Sequence, residues 1–326
     1  MLRVVELASF YPGPFCTKIL KDLGAEVVKV EPPGKDPARV LGEVFTVFNA
    51  GKKILEIDLK SESGLKTFYN LVKDVDVVVE SYRPGVAKRL KVDYETLSKI
   101  NPRIIYCSIS AFGQKTNLSQ FPAHDINVLG VAGLLEIFGK GKILDPNVQL
   151  ADLSSALFAV IAILSAVLER EKTGKGKYID ISMLKTALFS VPIHTTTILN
   201  GIGILPTFLR NPVYEIYETA DGYVTIGIVA EEHFWQRFCR ALDLNLNISL
   251  LKSFEMFEEI KKMIEKRVRK MLTKDLVKIL RDADVPAFEV MNLKEVEKIE
   301  ELLGEKLVEE IEFEGRKVKV VKNPLK

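Results

Sequence analysis

The chain has 326 residues, 47% of them hydrophobic, with 46 basic and 44 acidic side chains and a net charge of +2. That supplies apolar sequence for one large or two ordinary domains, and the charge is too balanced for nucleic acid or a polybasic membrane contact as the main partner. Cys16, Cys107 and Cys239 are widely spaced with no C-x-x-C pair, the usage expected of reduced, buried cysteines in a cytoplasmic protein, and no metal set is expected.

Val4 to Leu7 reads as a short apolar strand running into Tyr11-Pro12-Gly13-Pro14, a turn fixed by its prolines, with no signal-peptide core before it. Helical spacing over 15–23 ends at Gly24, and 25–31 is a second strand stopped by Pro32-Pro33-Gly34. This strand–helix–strand unit begins a parallel α/β sheet. Further strands are predicted over 53–59, 76–80, 103–109 and 178–183. A helix is predicted over 61–72, capped by Ser61, and another with a basic face follows Arg83-Pro84-Gly85. A nicotinamide site would need G-x-G-x-x-G after the first strand, and Y-P-G-P-F stands there instead.

The stretch 121–168 concentrates chemistry-bearing residues. His124, one of three histidines, precedes Asp125, and Asp152 is the last charge before sixteen uncharged residues, 153–168. A membrane span is disfavoured for that run because it is short and carries three serines, so a buried helix over 152–170 is expected. A base that titrates near neutrality and a carboxylate, each at the mouth of an apolar segment, suit acid–base chemistry. Taken alone, His124 reads equally as a loop histidine and Asp152 as a plain helix cap. Residues 198–210, with Gly201, Gly203 and Pro206, read as a linker. A hairpin over 214–228, Lys/Glu-rich helices over 231–281, and strands over 287–291 and 312–321 then form a second domain.

Several strings carry a wider pattern: K-D-L-G-A-E-V-V-K-V-E-P-P-G, V-V-V-E-S-Y-R-P-G-V-A-K-R-L, N-P-R-I-I-Y-C-S-I-S-A-F-G-Q and L-E-R-E-K-T-G-K-G-K-Y-I-D-I-S-M. In order and spacing they resemble the family III CoA-transferases together with α-methylacyl-CoA racemase, over nearly the whole chain. The expected architecture is α/β. It has a doubly wound parallel-sheet large domain over 1–197, the linker over 198–210 and a smaller α+β domain over 211–326, in an interlaced homodimer. The resemblance implies an acyl-CoA substrate, CoA entering as part of that substrate rather than as a resident cofactor, with no nucleic acid and no membrane partner.

The racemase branch carries G-H-D-I-N-Y where this chain has A-H-D-I-N-V, whereas formyl-CoA transferase-like members carry an aromatic at the position of His124. The resemblance therefore implies inversion of a 2-methyl-branched acyl-CoA at its α-carbon, with His124 and Asp152 as the proton-transfer pair. Its alternative is a transferase in which Asp152 attacks the thioester to form an acyl-aspartyl anhydride. Glu231 matches a glutamate that orients the histidine, with Glu232 as competitor. Arg39, Lys53 and Arg89 match basic positions near the CoA phosphates and adenine. Leu55, Glu56 and Ile57 match the adenine edge, and Tyr82 matches an aromatic at the same site. Lys52 and Arg83 read equally as surface charges. A helix N-terminus at Asp152 is expected to favour its anion and to offer free N–H groups to an enolate oxygen.

Overall fold

The structure is a computed structural model that describes residues 1–202 and 210–325. It divides into two compact units, Met1–Thr195 with Lys306–Lys326, and Thr196–Glu305. In the first, six strands form one sheet: β1 (Arg3–Leu7), β2 (Glu26–Glu31), β3 (Lys53–Glu56), β4 (Val77–Glu80), β5 (Ile105–Ser110) and β6 (Lys177–Ser182). Every adjacent pair is parallel and the spatial order is β3-β2-β1-β4-β5-β6, so the α/β expectation holds. The central strands read as near-continuous apolar runs because both faces are covered. Val77, Val78 and Val79 are all at 0% exposure.

One helix holds this unit together. Leu150–Thr173 packs on β5, β6 and the Pro12–Asp22 helix, and Ala151, Ala156, Ala159 and Ile163 are fully buried beneath it. Small residues on that face let the backbone approach the sheet closely. It runs 24 residues, longer than its uncharged segment, and by length and composition alone could cross a bilayer. Its buried face and its packing on β5, β6 and the Pro12–Asp22 helix make it the core helix of the sheet. At its C-terminal end Arg170 pairs with Asp76 at 2.9 Å, and Gly174, at φ 71°, closes the last turn in the left-handed conformation.

Two stretches differ from the sequence reading. The segment expected as a single strand over 312–321 is a hairpin of two strands, Val308–Phe313 and Arg316–Val321. Glu314 and Gly315, both at positive φ, turn the chain between them. That hairpin belongs to the first unit, not to the close of the second, because Phe313 packs toward Phe45 and Glu314 pairs with Arg39. The expected linker overlaps the helix Pro192–Leu199, and residues 203–209 of it lie outside the described residues.

The second unit builds a three-stranded antiparallel sheet from Tyr214–Glu218, Tyr223–Gly227 and Ala287–Glu289, with the 214–227 hairpin closed over Ala220-Asp221 by the Thr219 N–H donating to the Gly222 carbonyl. Helices over 232–282 cover it around Trp235, Phe238, Ile260 and Leu276.

Candidate active site

In a parallel sheet the loops leaving the C-terminal strand ends diverge where strand order reverses, and a crevice opens there. Here the reversal lies between β1 and β4. A cleft of about 350 Å³ sits at that point, walled by residues 9–12 after β1, 81–84 after β4, Ser110 at the end of β5 and Met183 after β6. His124 and Asp152 both line it, together with Tyr82 and Arg83. Two residues 28 positions apart in sequence thus line one cleft. Arg83 faces the cleft rather than lying on a remote surface.

The helix Asp125–Val131 starts on His124, whose extended backbone is held by an N–H bond to Asn127 Oδ1 at 3.0 Å. The imidazole is exposed and meets the edge of the Phe10 ring, centroids 6.3 Å apart. Asp125 turns the other way. It is buried, and its Oδ1 accepts from the backbone N–H of Ala151 at 2.7 Å and of Asp152 at 3.0 Å. It therefore caps, from another helix, the first turn that carries Asp152.

This cap changes two expectations. The N–H groups expected to be free for an enolate oxygen are satisfied: Ala151 and Asp152 by Asp125, Leu150 by the Val148 carbonyl and Leu153 by Gln149. The helix end also fails to favour the Asp152 anion. Burial, with the nearby Asp125 carboxylate adding to it, pushes the Asp152 carboxyl up to about 7. Burial raises Asp125 as well, opposed by its two N–H donors. Of the two carboxyls, Asp125 is the one with donors for its charge, so Asp152 is the one poised to hold a proton near neutrality.

The wall after β1 is fixed from below. Glu6 is fully buried and accepts from Lys29 Nζ and Lys52 Nζ, each at 2.7 Å. Burial works against its charge, but the two lysines hold the Glu6 carboxyl down at about 2. Lys29 also donates to the Ala8 carbonyl at 2.6 Å, and Lys52 to the Pro14 carbonyl at 2.9 Å, so both ends of the 8–14 turn are tied to the same carboxylate. Lys52 is thus an interior strut, not a surface charge. Within the turn Phe10 takes φ 66°, a conformation an aromatic residue adopts only when its surroundings impose it. Tyr11 also lines the cleft, its hydroxyl raised by burial and by the Asp152 and Asp125 carboxylates. The wall after β4 has a similar support, since Glu80 accepts from the Tyr82 N–H at 2.7 Å and from the Ser108 hydroxyl. Burial raises the Glu80 carboxyl to about 7.

A second cavity, about 290 Å³, adjoins the first and shares Leu7, Ser9, Pro37 and Tyr82 with it. Of the residues expected to hold CoA, Ile57 and Tyr82 line this cavity; Arg39, Lys53, Leu55, Glu56 and Arg89 do not. Lys53, Leu55 and Glu56 lie on the edge strand β3, Lys53 and Glu56 exposed, and Arg89 ends the short helix Val86–Arg89 on the surface. Arg39 sits on the turn Pro37–Leu41 and is engaged by Glu31 and Glu314. Glu231 belongs to the second unit, where its carboxylate accepts from the N–H groups of Val229 and Ala230 at 3.0 Å. Its neighbour Glu232 accepts from the Leu250 N–H at 2.8 Å.

The sequence reading passed over Asp125, Tyr11 and Glu6. A signal for Asp125 was present, since H-D places a second carboxylate beside the histidine. Its partners, however, lie 26 and 27 residues away.

Comparison with known proteins gives this arrangement a family. The profile of CoA-transferase family III matches residues 2–326. Succinyl-CoA:mesaconate CoA-transferase of Haloarcula hispanica is 35% identical over 265 residues, 74% of this chain and 66% of that protein. Human alpha-methylacyl-CoA racemase is 35% identical over 256 residues, 74% of this chain and 64% of its own length, so each match spans less than two thirds of the relative. Transferase names outnumber racemase names among such relatives. A CAIB/BAIF family protein from Brucella suis superposes with a TM-score of 0.86 at 26% identity, covering 100% of this chain and 91% of the other. With its sheet order, its cleft at the strand reversal and a profile match over nearly every residue, this chain belongs to CoA-transferase family III.

Proposed function

We propose that this chain inverts the α-carbon of a 2-methyl-branched acyl-CoA thioester, with His124 and Asp152 as two proton-transfer groups on opposite faces of that carbon. The observation that carries the reading is a carboxyl raised to about 7 in the same cleft as a histidine. Asp152 can then give or take a proton near neutrality, as two-base inversion requires of it. One group in its basic form removes the α-proton, the thioester carbonyl takes the electron pair as an enolate, and the protonated group opposite returns a proton. The charge states swap with direction. Asp125 keeps the Asp152 turn in place and keeps its carboxyl weakly acidic. Glu231 is assigned, on the resemblance alone, to orienting His124. On the resemblance, CoA is assigned to the second cavity, which Ile57 and Tyr82 line, with Leu55, Glu56, Ile57 and Tyr82 at the adenine and Arg39, Lys53 and Arg89 near the phosphates and adenine. The working form is assigned as an interlaced homodimer. A stripe of Leu157, Ile161, Leu164 and Leu168 on the core helix supports it, being apolar yet exposed in the single chain.

A second reading is CoA transfer, favoured by the transferase names of many relatives. There Asp152 is the nucleophile and His124 a bystander. Incubating one enantiomer of a 2-methylacyl-CoA in deuterated water separates the two. Inversion predicts α-deuteration and loss of optical purity with no acyl acceptor added. Transfer predicts no exchange and an Asp152 adduct trapped by hydroxylamine.

A further inference from the structure

Arg39 is held by two carboxylates of different character. Glu31, at the end of β2, is buried and accepts from Arg39 Nε and Nη2, both at 3.0 Å. Glu314, at the tip of the C-terminal hairpin, accepts from Nη1 at 2.7 Å and Nη2 at 3.1 Å, yet its side chain is 49% exposed. The first contact is a fixed strut and the second lies open to solvent. Arg39 alone bonds this carboxylate. Lys35, two residues before the Pro37–Leu41 turn, and Arg316, whose Nη1 reaches Gly42 at the end of that turn, add to Arg39 electrostatically in holding the Glu314 carboxyl below its ordinary range.

The backbone adds an independent observation. Glu314 is the first residue of a two-residue turn and takes φ 49°, with Gly315 at 77°. Such turns favour Asn, Asp or Gly at the first position, and glutamate is poorly suited to it. Turn formation does not explain glutamate here; the Arg39 contact does. The position is also apt for a ligand. Pro37, on the same turn as Arg39, and Glu31, which anchors it, both line the second cavity.

We propose that Glu314 is an internal stand-in for a phosphate monoester, occupying the outer face of Arg39 and yielding it when an acyl-CoA brings its 3′-phosphate to the Lys35–Arg39–Arg316 cluster. The proposal rests on the CoA reading above and adds the hairpin, Lys35 and Arg316 to it. Charge balance supports a dianion. Lys35, Arg39 and Arg316 set against Glu31 and Glu314 leave a net charge of +1 around this turn. Replacing the Glu314 carboxylate by a phosphate dianion brings the cluster to neutrality, whereas a singly charged phosphodiester only exchanges like for like. A ligand that must displace a bound group binds more weakly by the fraction of time that the site is closed. Removing the competitor then tightens binding selectively for the ligand with the monoester.

The test is calorimetric titration of the full chain with CoA and with 3′-dephospho-CoA, for the wild type, Glu314→Gln and, as a charge-matched control on the same hairpin, Glu310→Gln. The proposal expects Glu314→Gln to bind CoA about five- to tenfold more tightly, with dephospho-CoA and the control unchanged within twofold. Unaltered or weaker CoA binding in Glu314→Gln overturns it, as does equal tightening for both ligands or in the control. If neither ligand binds the wild type, the CoA assignment itself falls, and the stand-in falls with it. Circular dichroism melting of each variant establishes that the hairpin change leaves the fold intact.

Discussion

At the residue scale, Asp152 is set by a balance between three influences. A helix N-terminus lowers a carboxyl; burial and a neighbouring carboxylate raise it; here the second and third win because Asp125 already occupies the N–H groups through which the first would act. The consequence for stability has a definite sign. A carboxyl whose folded value lies above its unfolded value binds protons more readily in the folded state, so its stabilising contribution is present at low pH and is lost as pH rises from about 4 toward about 7. Asp152→Asn removes that penalty. Relative to wild type it should gain roughly 2 kcal/mol between pH 5 and pH 8 in urea unfolding, while losing activity. Asp125→Asn retains an oxygen for the cap but not the charge. The acid limb of the pH–rate profile should then move to lower pH, and an unmoved limb would remove Asp125 from the account.

At the scale of elements, the turn over 8–14 and the core helix do the positioning. The turn is tied at Ala8 and Pro14 to lysines that share the buried Glu6. Lys52→Met leaves that carboxylate with one cation, so the variant should lose about 3–5 kcal/mol in denaturant unfolding, the usual cost of breaking a buried pair from one side. The parallel sheet was legible in the sequence because strands buried on both faces, such as Asp76-Val77-Val78-Val79-Glu80, can be little else between turn signals. The C-terminal hairpin was not read as a hairpin. Its strands alternate charged and apolar residues, and Glu-Gly is a weaker turn signal than Asn-Gly. Residue type and position singled out His124 and Asp152, which share the cleft, but only the family resemblance gave them roles. Asp125, Glu6 and the engagement of Arg39 were not legible, because each depends on a partner brought close only by the fold. Glu314 lies 275 positions from Arg39.

At the scale of the molecule, the core helix leaves a stripe of leucine and isoleucine uncovered, with Ile161 at 60% and Leu168 at 69% exposure. Light scattering on the purified protein should give the mass of two chains. Ile161→Glu combined with Leu168→Glu should shift it toward one and lower the melting temperature; a monomeric wild type would contradict the dimer. The central claim remains the two-base inversion across the cleft. It is tested most directly by offering each enantiomer of a 2-methylacyl-CoA, in deuterated water, to His124→Ala and to Asp152→Asn, and following α-deuteration separately from loss of optical purity. The account predicts that neither variant racemises, and that each still exchanges only the enantiomer whose proton faces its remaining base, so that the two variants exchange opposite enantiomers. Near-normal racemisation in His124→Ala, or exchange of the same enantiomer by both variants, would contradict it.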